Sequence, residues 1–479
     1  MIAKAEKYPT YNGWDAIAER YLKLGHYSGA AAAFRREAAM YRAAGMEDAA
    51  AIKEKRASLY ETDIKLFLER KPTKAERKAL NTGALLEPPA GAYVGAFIDR
   101  DDNLKRIFQG DNWQWHRYPE DFARITGKRH ATYFMYLNYK NNFPGKWMSL
   151  CKRQKVIPTI AWEPDNLNQV QDNQHLRQFA KALRKFNWPV FIRFASEMNG
   201  SWTPYHGNPG LYREKFRLVH RVLHQYAPKV ATIWDVDYIP GDDPGAYYPG
   251  DKFCDWVGVN IYSVPYLDNA LSRPAFGDSP LEQLDKFYKK YAARKPIAVC
   301  EFGVSHMATA DNKTRTSFAT EKMSLMYGAL PLLYPRVKMI CVYDSNNIKH
   351  ASPGRQLNNF NITGTSLLLD TYHNLVEPPY FIGALPRKHQ LPARLPFPLK
   401  EGQRLPAKAQ VDIWVKTYTS RPSVILQVGN KTIYAAHCDG AHHVVVDISK
   451  LSRGKNKITV YVYDNKNRFI AKQIRVVRK

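Results

Sequence analysis

The chain has 479 residues, of which 45% are hydrophobic and 13% aromatic. This length exceeds what one hydrophobic core normally organises, and the apolar content excludes an intrinsically disordered protein. The formal net charge of +27 at pH 7 favours contact with polyanions such as nucleic acid, anionic cell-wall polymers or acidic polysaccharide.

The N-terminal part has the pattern of helices. Apolar side chains recur at three- and four-residue spacing across residues 14–71, which predicts helix throughout this stretch. The run from Tyr21 through Phe34 to Ala38 resembles a tetratricopeptide helix pair, although it covers about one and a half units and repeat proteins need about three. We therefore predict an α-helical, tetratricopeptide-like segment over residues 1–80. It forms either a partner-binding repeat or a helical hairpin that packs on the next domain.

The central part alternates short β-rich runs with longer segments suited to helices, which indicates βα units and a parallel sheet. Eight such runs are residues 92–98, 132–138, 155–161, 189–196, 230–236, 255–262, 296–302 and 337–343. Eight strands in about 250–290 residues is the size of a closed barrel. An open doubly wound sheet more often has a glycine-rich phosphate loop after its first strand. The predicted fold class is therefore α/β, with a (β/α)8 TIM barrel over residues 81–385.

The C-terminal part begins with a proline-rich stretch, which predicts a linker over residues 386–408. Six short alternating runs separated by turn residues follow, and they predict a small β-sandwich over residues 409–479. Residues 396–479 hold 16 basic against 5 acidic side chains. Such a module either binds polysaccharide or serves as a spacer. Its positive charge makes an anionic cell-wall polymer a candidate partner.

Two glutamates end predicted strands at the C-terminal side, where a barrel of this kind carries its catalytic groups. Glu197 ends the fourth run in FIRFASEMNGSW, and Glu301 ends the seventh in KPIAVCEFG. The two strands lie on opposite sides of an eight-stranded ring, so the side chains can face each other over its mouth. Glycoside cleavage with retention needs a carboxyl pair about 5–5.5 Å apart, one ionised and one protonated.

The segments around these glutamates resemble a known family. RFASEMNGSWTPY, YYPGDKFCDWVGVNIYS and KPIAVCEFG are similar to glycoside hydrolase family 26 of clan A, whose members include β-mannanases and mixed-linkage β-glucanases. The resemblance covers residues 90–350 and implies Glu197 as the acid/base and Glu301 as the nucleophile. It also implies that the Tyr262 hydroxyl holds the nucleophile, and that Trp202 is the tryptophan that follows the acid/base.

Further residues around this pair are substrate-binding candidates. The resemblance extends to a third-strand region that ends in Trp162, whereas Ser196 stands where many members have histidine. Trp162, Trp202 and Trp234 offer flat faces on which sugars stack, or they pack beneath the loops instead. The eighth run ends in Tyr343, whose ring is a candidate floor for the subsite of the reacting sugar.

Arg193 has the same strand parity as Glu197 and is expected to point into the barrel. There its cation either keeps Glu301 ionised or forms a buried ion pair without a catalytic part. Asn199, in the same motif as Glu197, is a further substrate-binding candidate. Glu163 is a third carboxylate at a strand end and a rival for either catalytic role. We assign it a structural or subsite role because a proline follows it directly.

No metal or other cofactor is expected. His206 and His220 lack the paired spacing of a zinc site, and the sequence has no HExxH or CxxC motif. The predicted function is a retaining glycoside hydrolase that cleaves a β-linked polysaccharide of β-mannan or β-glucan type. Endo action is favoured because long loops such as residues 99–131 can wall a cleft. The alternative is a non-catalytic polysaccharide- or cell-wall-binding protein on a hydrolase-like barrel.

The remaining rival is a nucleic-acid-binding protein, suggested by the charge, yet no RNA- or DNA-binding motif is visible. No window approaches the roughly 18 apolar residues of a membrane helix, so no membrane span is expected. The first residues lack the apolar core of a signal peptide. Because a polysaccharide substrate favours export, the expectation is a secreted or cell-surface protein whose signal is absent from this sequence, with a cytoplasmic location left open.

Overall fold

The computed structural model of the protein describes residues 11–24, 26–239, 243–385, 391–418, 421–447, 454–464 and 469–478. The described residues fall into two compact units, one drawn from Met1–Arg70 together with Pro396–Lys479 and the other from Lys71–Leu395. None of the described helices is long and apolar enough to cross a membrane.

The first unit begins with three helices, α1 (Tyr11–Lys23), α2 (Tyr27–Ala43) and α3 (Glu47–Tyr60). Their apolar faces share a small core around Trp14, Ile17 and Phe34, and alanines at the close contacts let the helices approach one another. Arg56 on α3 lies over the Phe34 ring, with 4.4 Å between its Cζ and the ring centroid, and it also binds Glu19 on α1. The three helices therefore form one packed cluster.

A strand follows these helices: β1 (Asp63–Arg70). The prediction of helix throughout residues 14–71 is therefore wrong in its last part. Ile64, Leu66 and Leu68 are buried and lie on one face of the strand. Their spacing of two residues is the period of a strand rather than of a helix. The segment forms a strand because it pairs with a strand from the C-terminal part of the chain.

The second unit contains, among its described residues, the strands β2 (Ala92–Arg100), β3 (Ile107–Gln109), β4 (Trp115–Arg117), β5 (Thr132–Asn138), β6 (Ile157–Glu163), β7 (Val190–Phe194), β8 (Val230–Asp237), β9 (Trp256–Ser263), β10 (Ile297–Val304), β11 (Met307–Ala308), β12 (Val337–Ser345), β13 (Asn358–Asn359) and β14 (Phe381–Ile382). Strands β2, β5 to β10 and β12 run parallel, and β12 pairs with both β10 and β2, which closes the ring. Strand β14 adds a short parallel pairing to β2.

This closed barrel confirms the predicted fold class, and each of the eight predicted runs forms one of its strands. The strands are almost wholly buried on both faces, as parallel strands enclosed by helices must be. Large side chains such as Tyr93, Phe134 and Phe191 fill the interior. The barrel is therefore a packed core with its functional groups at one end.

The helices of this unit are α4 (Lys74–Ala79), α5 (Pro119–Thr126), α6 (Gly145–Arg153), α7 (Gln174–Phe186), α8 (Pro209–Tyr226), α9 (Pro280–Tyr291), α10 (Thr316–Leu333), α11 (Asn347–His350) and α12 (Ser366–Val376). Several begin with a polar cap: the side chains of Asn173, Asn208 and Thr365 accept hydrogen bonds from backbone N–H groups of the first turn. Proline in the first turn of α5, α8 and α9 costs no helical hydrogen bond there.

The first unit resumes with the strands β15 (Leu395–Pro398), β16 (Gln403–Leu405), β17 (Lys408–Lys416), β18 (Ser423–Val428), β19 (Lys431–Ala436), β20 (Gly440–Asp447), β21 (Gly454–Tyr463) and β22 (Phe469–Arg478). A four-stranded sheet has the order β15-β1-β17-β20, and a five-stranded sheet has the order β16-β22-β21-β18-β19. Side chains such as Leu66, Val411, Leu426 and Val460 form one core between them.

Each of the six runs predicted for this sandwich forms a strand, but the unit has members outside the predicted range. Strands β15 and β16 lie within the predicted linker, residues 386–408, of which 386–390 are outside the described residues. Strand β1 occupies an inner position and pairs antiparallel with β17, from Asp63 opposite Lys416 to Leu68 opposite Val411. The sandwich is therefore built from both ends of the chain.

We predict that Leu66→Ala destabilises the sandwich, because this side chain is buried in the core between the two sheets. The free energy of unfolding should fall by about 2–5 kcal/mol, as for other large-to-small changes in protein cores. Chemical denaturation of the full chain measures it. Lys65→Ala, an exposed change on the same strand, is the control and should cost less than about 1 kcal/mol. Equal effects of the two changes would contradict the described strand.

Candidate active site

Glu301 lies on β10 towards the C-terminal end of the barrel and is 2% exposed. Its Oε1 accepts hydrogen bonds from the Tyr136 hydroxyl at 2.7 Å and from Arg193 at 2.6 Å. Its Oε2 accepts one from the Tyr262 hydroxyl, which is the contact that the family resemblance implied. Three donors, one of them cationic, fix the orientation of this carboxyl group and suit its ionised form.

Arg193 is buried inside the barrel, as its strand parity predicted, and binds three side chains. Its Nε donates to Asp235 Oδ2 at 2.8 Å, and its terminal nitrogens also reach Glu301 and, at 3.3 Å, Asn260 Oδ1. Its Cζ lies 5.0 Å from the centroid of the Phe134 ring. Burial raises the pKa of Asp235 to about 6, although Arg193 opposes this shift. Because Arg193 is enclosed, it binds the carboxylates of the site and has no exposed surface that a substrate could contact.

Glu197 follows β7 on a tight turn, in which Ala195 and Glu197 have positive φ angles of 47° and 58°. This conformation is costly for residues other than glycine and is found often at functional sites. The Glu197 N–H donates to the Asp235 carbonyl at 3.0 Å, which ties the turn to β8. Its Oε1 accepts from Asn260 Nδ2 and its Oε2 from Trp202 Nε1, both at 2.7 Å.

The environment of Glu197 favours the protonated carboxyl group. Burial raises its pKa, and the negative charge of Glu301 raises the pKa further. The hydrogen bonds from Asn260 and Trp202 oppose this shift without removing it. A glutamate with a raised pKa can bring a proton to a reaction, which is the property that a general acid needs.

Asn260 connects the two glutamates. It lies on β9 beside Glu301 in the strand register. Its Oδ1 accepts from Arg193, which binds Glu301, and its Nδ2 donates to Glu197. The amide therefore has a donor on one side and an acceptor on the other, which fixes its orientation. Through it, the positions of the two carboxyl groups depend on one hydrogen-bond network.

Glu163, the rival carboxylate, lies at the end of β6 and is half-buried. Burial raises its pKa to about 8, and the charges of Glu197 and Glu301 act in the same direction while Arg193 opposes them. At neutral pH it is therefore mostly protonated. A protonated carboxyl group is a poor nucleophile, so this environment suits Glu163 to hydrogen bonding rather than to attack.

Sequence reasoning missed several groups of this site. Tyr136 and Asn260 were not singled out, and neither were two aspartates of β8. Asp235 binds Arg193, and Asp237 makes a side-chain hydrogen bond with Glu197. Asp237 Oδ1 also accepts from the Ile239 N–H at 2.6 Å. A signal was present, because the rule that located the two glutamates, a carboxylate at the C-terminal end of a barrel strand, also applies to Asp237.

The expectation that Trp162 and Trp234 stack on sugars is wrong, because both rings are fully buried. Trp162 points out of the barrel and stacks on Phe179 of α7 with 4.2 Å between ring centroids. Trp234 packs edge-on against Tyr248 and Tyr291. Successive side chains of a strand point to opposite faces. The neighbours Glu163 and Asp235 face inward, so these tryptophans face the helices.

Asn199 does not face a substrate either. Its Nδ2 donates to the Asp237 and Ile239 carbonyls at 3.0 and 3.3 Å, and its Oδ1 accepts from the Asp237 N–H at 3.0 Å. This buried amide holds the loop after β8, so the predicted binding role is wrong. Trp202, by contrast, is 38% exposed beside Glu197. Tyr343 lies next to Tyr262, with 5.4 Å between ring centroids.

One group of side chains away from the glutamates has metal-ligand chemistry. His220, His224 and Asp255 bring one ligand atom each within 4.8 Å of one another. The two histidines are one turn apart on α8, so the prediction that His220 lacks a paired histidine is wrong. His220 Nδ1 lies 2.8 Å from Thr232 Oγ1, and His224 Nε2 lies 2.9 Å from Asp255 Oδ2. His220 and His224 lie near the C-terminal end of α8, and Asp255 directly precedes β9. The group is therefore at the end of the barrel where the strands begin, opposite the two glutamates.

The closed (β/α)8 barrel carries glutamates after its fourth strand and on its seventh, and a tyrosine and an arginine bind the second of them. Two carboxyl groups at a barrel mouth are the groups that glycoside hydrolysis uses. Residues 155–273 match the model of glycosyl hydrolase family 26. The matched segment is about a quarter of the chain, and over it the chain is similar to that family.

Two relatives share part of this barrel. The chain is 29% identical over 106 residues to the β-1,3-xylanase TXYA of a Vibrio species, a segment that covers 21% of this chain and 23% of that protein. It is 28% identical over 103 residues to a β-1,3-xylanase of an Alcaligenes species, covering 20% and 22%. The matched segment spans less than a quarter of the length of either relative.

Two solved structures are similar over most of the chain. A modular endo-β-1,4-mannanase from Cellulomonas fimi covers 85% of this chain and 98% of its own, with 16% identity and a TM-score of 0.43. An endo-β-1,4-mannanase from Thermotoga petrophila covers 84% of this chain and 100% of its own, with 10% identity and a TM-score of 0.39.

We predict that Arg193→Met destabilises the barrel, because it leaves Asp235 and Glu301 buried without their cation. The loss should be about 3–5 kcal/mol at pH 8. The folded-state pKa of Asp235 is already raised to about 6, so ionising this group costs stability as the pH rises through that value. Without Arg193 the cost is larger, and the deficit of the variant should therefore shrink below pH 5.

Thermal and urea unfolding at pH 5 and pH 8 measure this deficit. Arg177→Met is the matched control, because it removes an exposed arginine whose partner is Asp172 and should cost less than about 1 kcal/mol at either pH. A deficit that is the same at both pH values would show that Arg193 stabilises the barrel through packing and not through its charge.

Proposed function

We propose that the protein is a retaining glycoside hydrolase that cleaves a β-linked polysaccharide, of β-mannan or β-glucan type, within the chain. Glu301 is the nucleophile and Glu197 the acid/base. The observation that carries this proposal is the contrast between the two environments. Glu301 is bound by a cation and two hydroxyl groups, whereas Glu197 is half-buried and has a raised pKa.

In the first step a Glu301 oxygen attacks the anomeric carbon, and the bond from this carbon to the leaving oxygen breaks. Glu197 gives its proton to that oxygen. In the second step Glu197, now ionised, takes a proton from a water molecule, which attacks the same carbon and releases Glu301. The ionised Glu197 is stabilised by the hydrogen bonds from Asn260 and Trp202. The two steps invert the carbon twice and so retain its configuration.

This mechanism requires that the two carboxyl groups approach to about 5–5.5 Å, leaving no room for a water molecule between Glu301 and the sugar carbon. The asymmetric hydrogen bonding supports that arrangement, because the Tyr262 hydroxyl and Arg193 bind Glu301, and Arg193 is linked to Glu197 through Asn260.

If the mechanism is retaining, proton NMR of the first sugar product shows a β-anomer. An α-anomer as the first product would exclude retention.

The polysaccharide is identified by a reducing-sugar assay of the full chain against β-1,4-mannan, mixed-linkage β-glucan, β-1,4-xylan and β-1,3-xylan. The last belongs in the panel because matched relatives are named β-1,3-xylanases. We expect release of oligosaccharides from β-mannan or β-glucan. Binding to a polymer without release from any member of the panel would favour the alternative, a non-catalytic polysaccharide-binding protein on this barrel.

We predict different defects for the two glutamates. Glu301→Ala should abolish turnover of every substrate, because no other group forms the glycosyl-enzyme. Glu197→Ala should lower kcat/KM on polysaccharide by about 10²–10⁴-fold, the usual contribution of general acid–base catalysis. It should still react with an aryl glycoside whose phenol leaves without a proton. Added azide needs no general base, so it should speed the release of a β-glycosyl azide from this variant.

Glu163→Ala is the control for this experiment, since it removes a third carboxyl group from the same barrel mouth. It should retain turnover of the aryl glycoside without azide. Azide rescue with retention in Glu301→Ala would exchange the two roles. A more severe loss in Glu163→Ala than in either other variant would show that the pair is assigned to the wrong residues.

We also propose that the sandwich binds an anionic cell-wall polymer. Exposed cations lie on the outer face of the five-stranded sheet, where Lys457 is opposite Arg475 in the strand register and Lys455 is opposite Val477. Arg404 on the edge strand is paired with the same Val477. Like charges on adjacent strands repel one another. An anionic chain that neutralises them lowers this repulsion, which favours its binding to this face.

We predict that Lys457→Glu with Arg475→Glu weakens pull-down of the full chain by an anionic cell-wall polymer at low salt, and that high salt removes the difference by screening. Arg184→Glu with Lys185→Glu is the control: it makes the same change of charge on exposed residues of α7 in the barrel. Equal loss in both variants would show that net charge alone governs binding. Binding by the unaltered chain that is absent or indifferent to salt would leave the spacer role.

A further inference from the structure

The loop after the first barrel strand carries two exposed tryptophans. Strands β3 and β4 pair antiparallel and form the tryptophan hairpin, residues 107–117. Trp113 at its tip is 84% exposed and Trp115 is 57% exposed. Large aromatic side chains are usually buried or partly buried, so two exposed tryptophans on one short hairpin are unusual for a surface without a partner.

The polar residues of the hairpin fasten it to the barrel. Gln114 Nε2 donates to the Tyr136 carbonyl at 2.8 Å. Asp111 Oδ2 accepts from the Lys146 N–H at 2.6 Å, and Asn112 Nδ2 donates to the Asn142 carbonyl at 3.1 Å. At the base of the hairpin, Asp99 accepts from the N–H of Arg117 at 3.1 Å and contacts His116 Nδ1 at 2.8 Å. The exposed rings therefore stand on a fixed support.

The backbone at the tip has an unfavourable conformation. Asn112 and Trp113 have positive φ angles of 57° and 61°. This conformation is unfavourable for a bulky residue such as tryptophan. Strain of this kind persists where the surrounding contacts hold it, and it occurs often at functional sites. Here the contacts of Asn112 and Gln114 hold it.

The hairpin is continuous with the candidate active site. Gln114 binds the backbone of Tyr136, and the hydroxyl of the same Tyr136 donates to Glu301. One residue at the end of β5 therefore supports both the hairpin and the candidate nucleophile. A polymer that lies across Glu301 and leaves the barrel mouth on this side meets the tryptophan hairpin.

The chemistry of the exposed face suits a carbohydrate. Gln109 lies opposite Trp115 in the strand register, and Ile107 lies opposite Arg117, so amide and guanidinium groups flank the aromatic ring. A sugar ring presents C–H groups on its face, which pack on an aromatic ring, and hydroxyl groups at its edge, which need donors and acceptors.

From this arrangement we infer that Trp113 and Trp115 form a sugar-binding platform outside the catalytic pair, which binds the β-linked polysaccharide on which the protein acts. This inference rests on the proposed function, since the occupant is the polymer that Glu301 attacks. The platform adds affinity for a long chain and has no part in bond cleavage. It therefore distinguishes polymers that extend past the mouth from short glycosides that do not.

The first experiment measures binding without turnover. Affinity electrophoresis of full-length Glu301→Gln is carried out in gels that contain β-mannan, mixed-linkage β-glucan or β-1,3-xylan, with and without Trp113→Ala and Trp115→Ala. We expect the double change to weaken binding of the retained polymer about tenfold, and each single change to weaken it less. Trp113→Phe with Trp115→Phe should restore most of the binding.

Leu271→Ala is the control, because it removes a side chain that is 59% exposed on another loop of the barrel. It should bind like its parent. If the polymer slows the migration of the double tryptophan variant as much as that of its parent, the platform is refuted. A change in oligomeric state on size-exclusion chromatography, without a change in polymer binding, would also overturn it and assign the face to a contact between copies of the chain.

The second experiment separates this inference from the proposed function. In chains that keep Glu301, the double tryptophan variant should raise KM for the polymer at least fivefold and change KM for an aryl glycoside less than twofold. If the unaltered chain binds polymer through the tryptophans but cleaves none, the inferred platform is supported and the proposed hydrolase function is refuted. If the unaltered chain cleaves polymer and the double tryptophan variant does so with the same KM, the hydrolase function is supported and the platform is refuted. Neither binding nor cleavage of any polymer would refute both.

Discussion

The buried guanidinium of Arg193 is the interaction on which the candidate active site depends. Enclosing a cation in the middle of a barrel costs several kcal/mol, which only close anionic and polar partners can offset. Asp235, Glu301 and Asn260 supply them. Each partner lies on a different strand, so the cation fixes the relative positions of β8, β9 and β10 at the mouth. The guanidinium therefore ties the geometry of the site to the arrangement of three neighbouring barrel strands.

The strands of the barrel were predictable because a parallel strand enclosed by helices is apolar on both faces, and eight such runs are easily found. The same property hides which side chains face inward. Trp162 and Trp234 were expected at the substrate, but they lie on the outer face, next to inward-facing Glu163 and Asp235. Neither candidate catalytic glutamate lies on β6 or β8, so parity counted from them does not place these four side chains, which only the register between strands fixes.

The sandwich shows a different limit. Its own six strands follow from local alternation and turn residues, yet β1 comes from the other end of the chain and pairs with β17. A strand with one inward face, Ile64 to Leu68, also satisfies a helical spacing over a few residues, and only the partner sheet selects between them. Pairings over such a separation leave no mark in the short-range pattern. The same is true of Tyr136, whose contact with Glu301 joins distant strands.

The different environments of the two glutamates follow from how few cations lie near them in the described part of the barrel mouth. Five carboxyl groups meet there, those of Glu163, Glu197, Asp235, Asp237 and Glu301, and among the described residues they share one buried guanidinium, that of Arg193. Five negative charges cannot be stabilised by one positive charge at this burial, so some of the groups must keep protons. Asp235, in contact with the cation, has its pKa raised to about 6, whereas Glu163, which makes no ion pair with it in the described structure, has its pKa raised to about 8. Glu197 also lies beyond contact with the cation, and Glu301 is bound to it. The proposed roles of the two glutamates therefore agree with their contacts to one guanidinium, which binds Glu301 and makes no ion pair with Glu197 in the described structure.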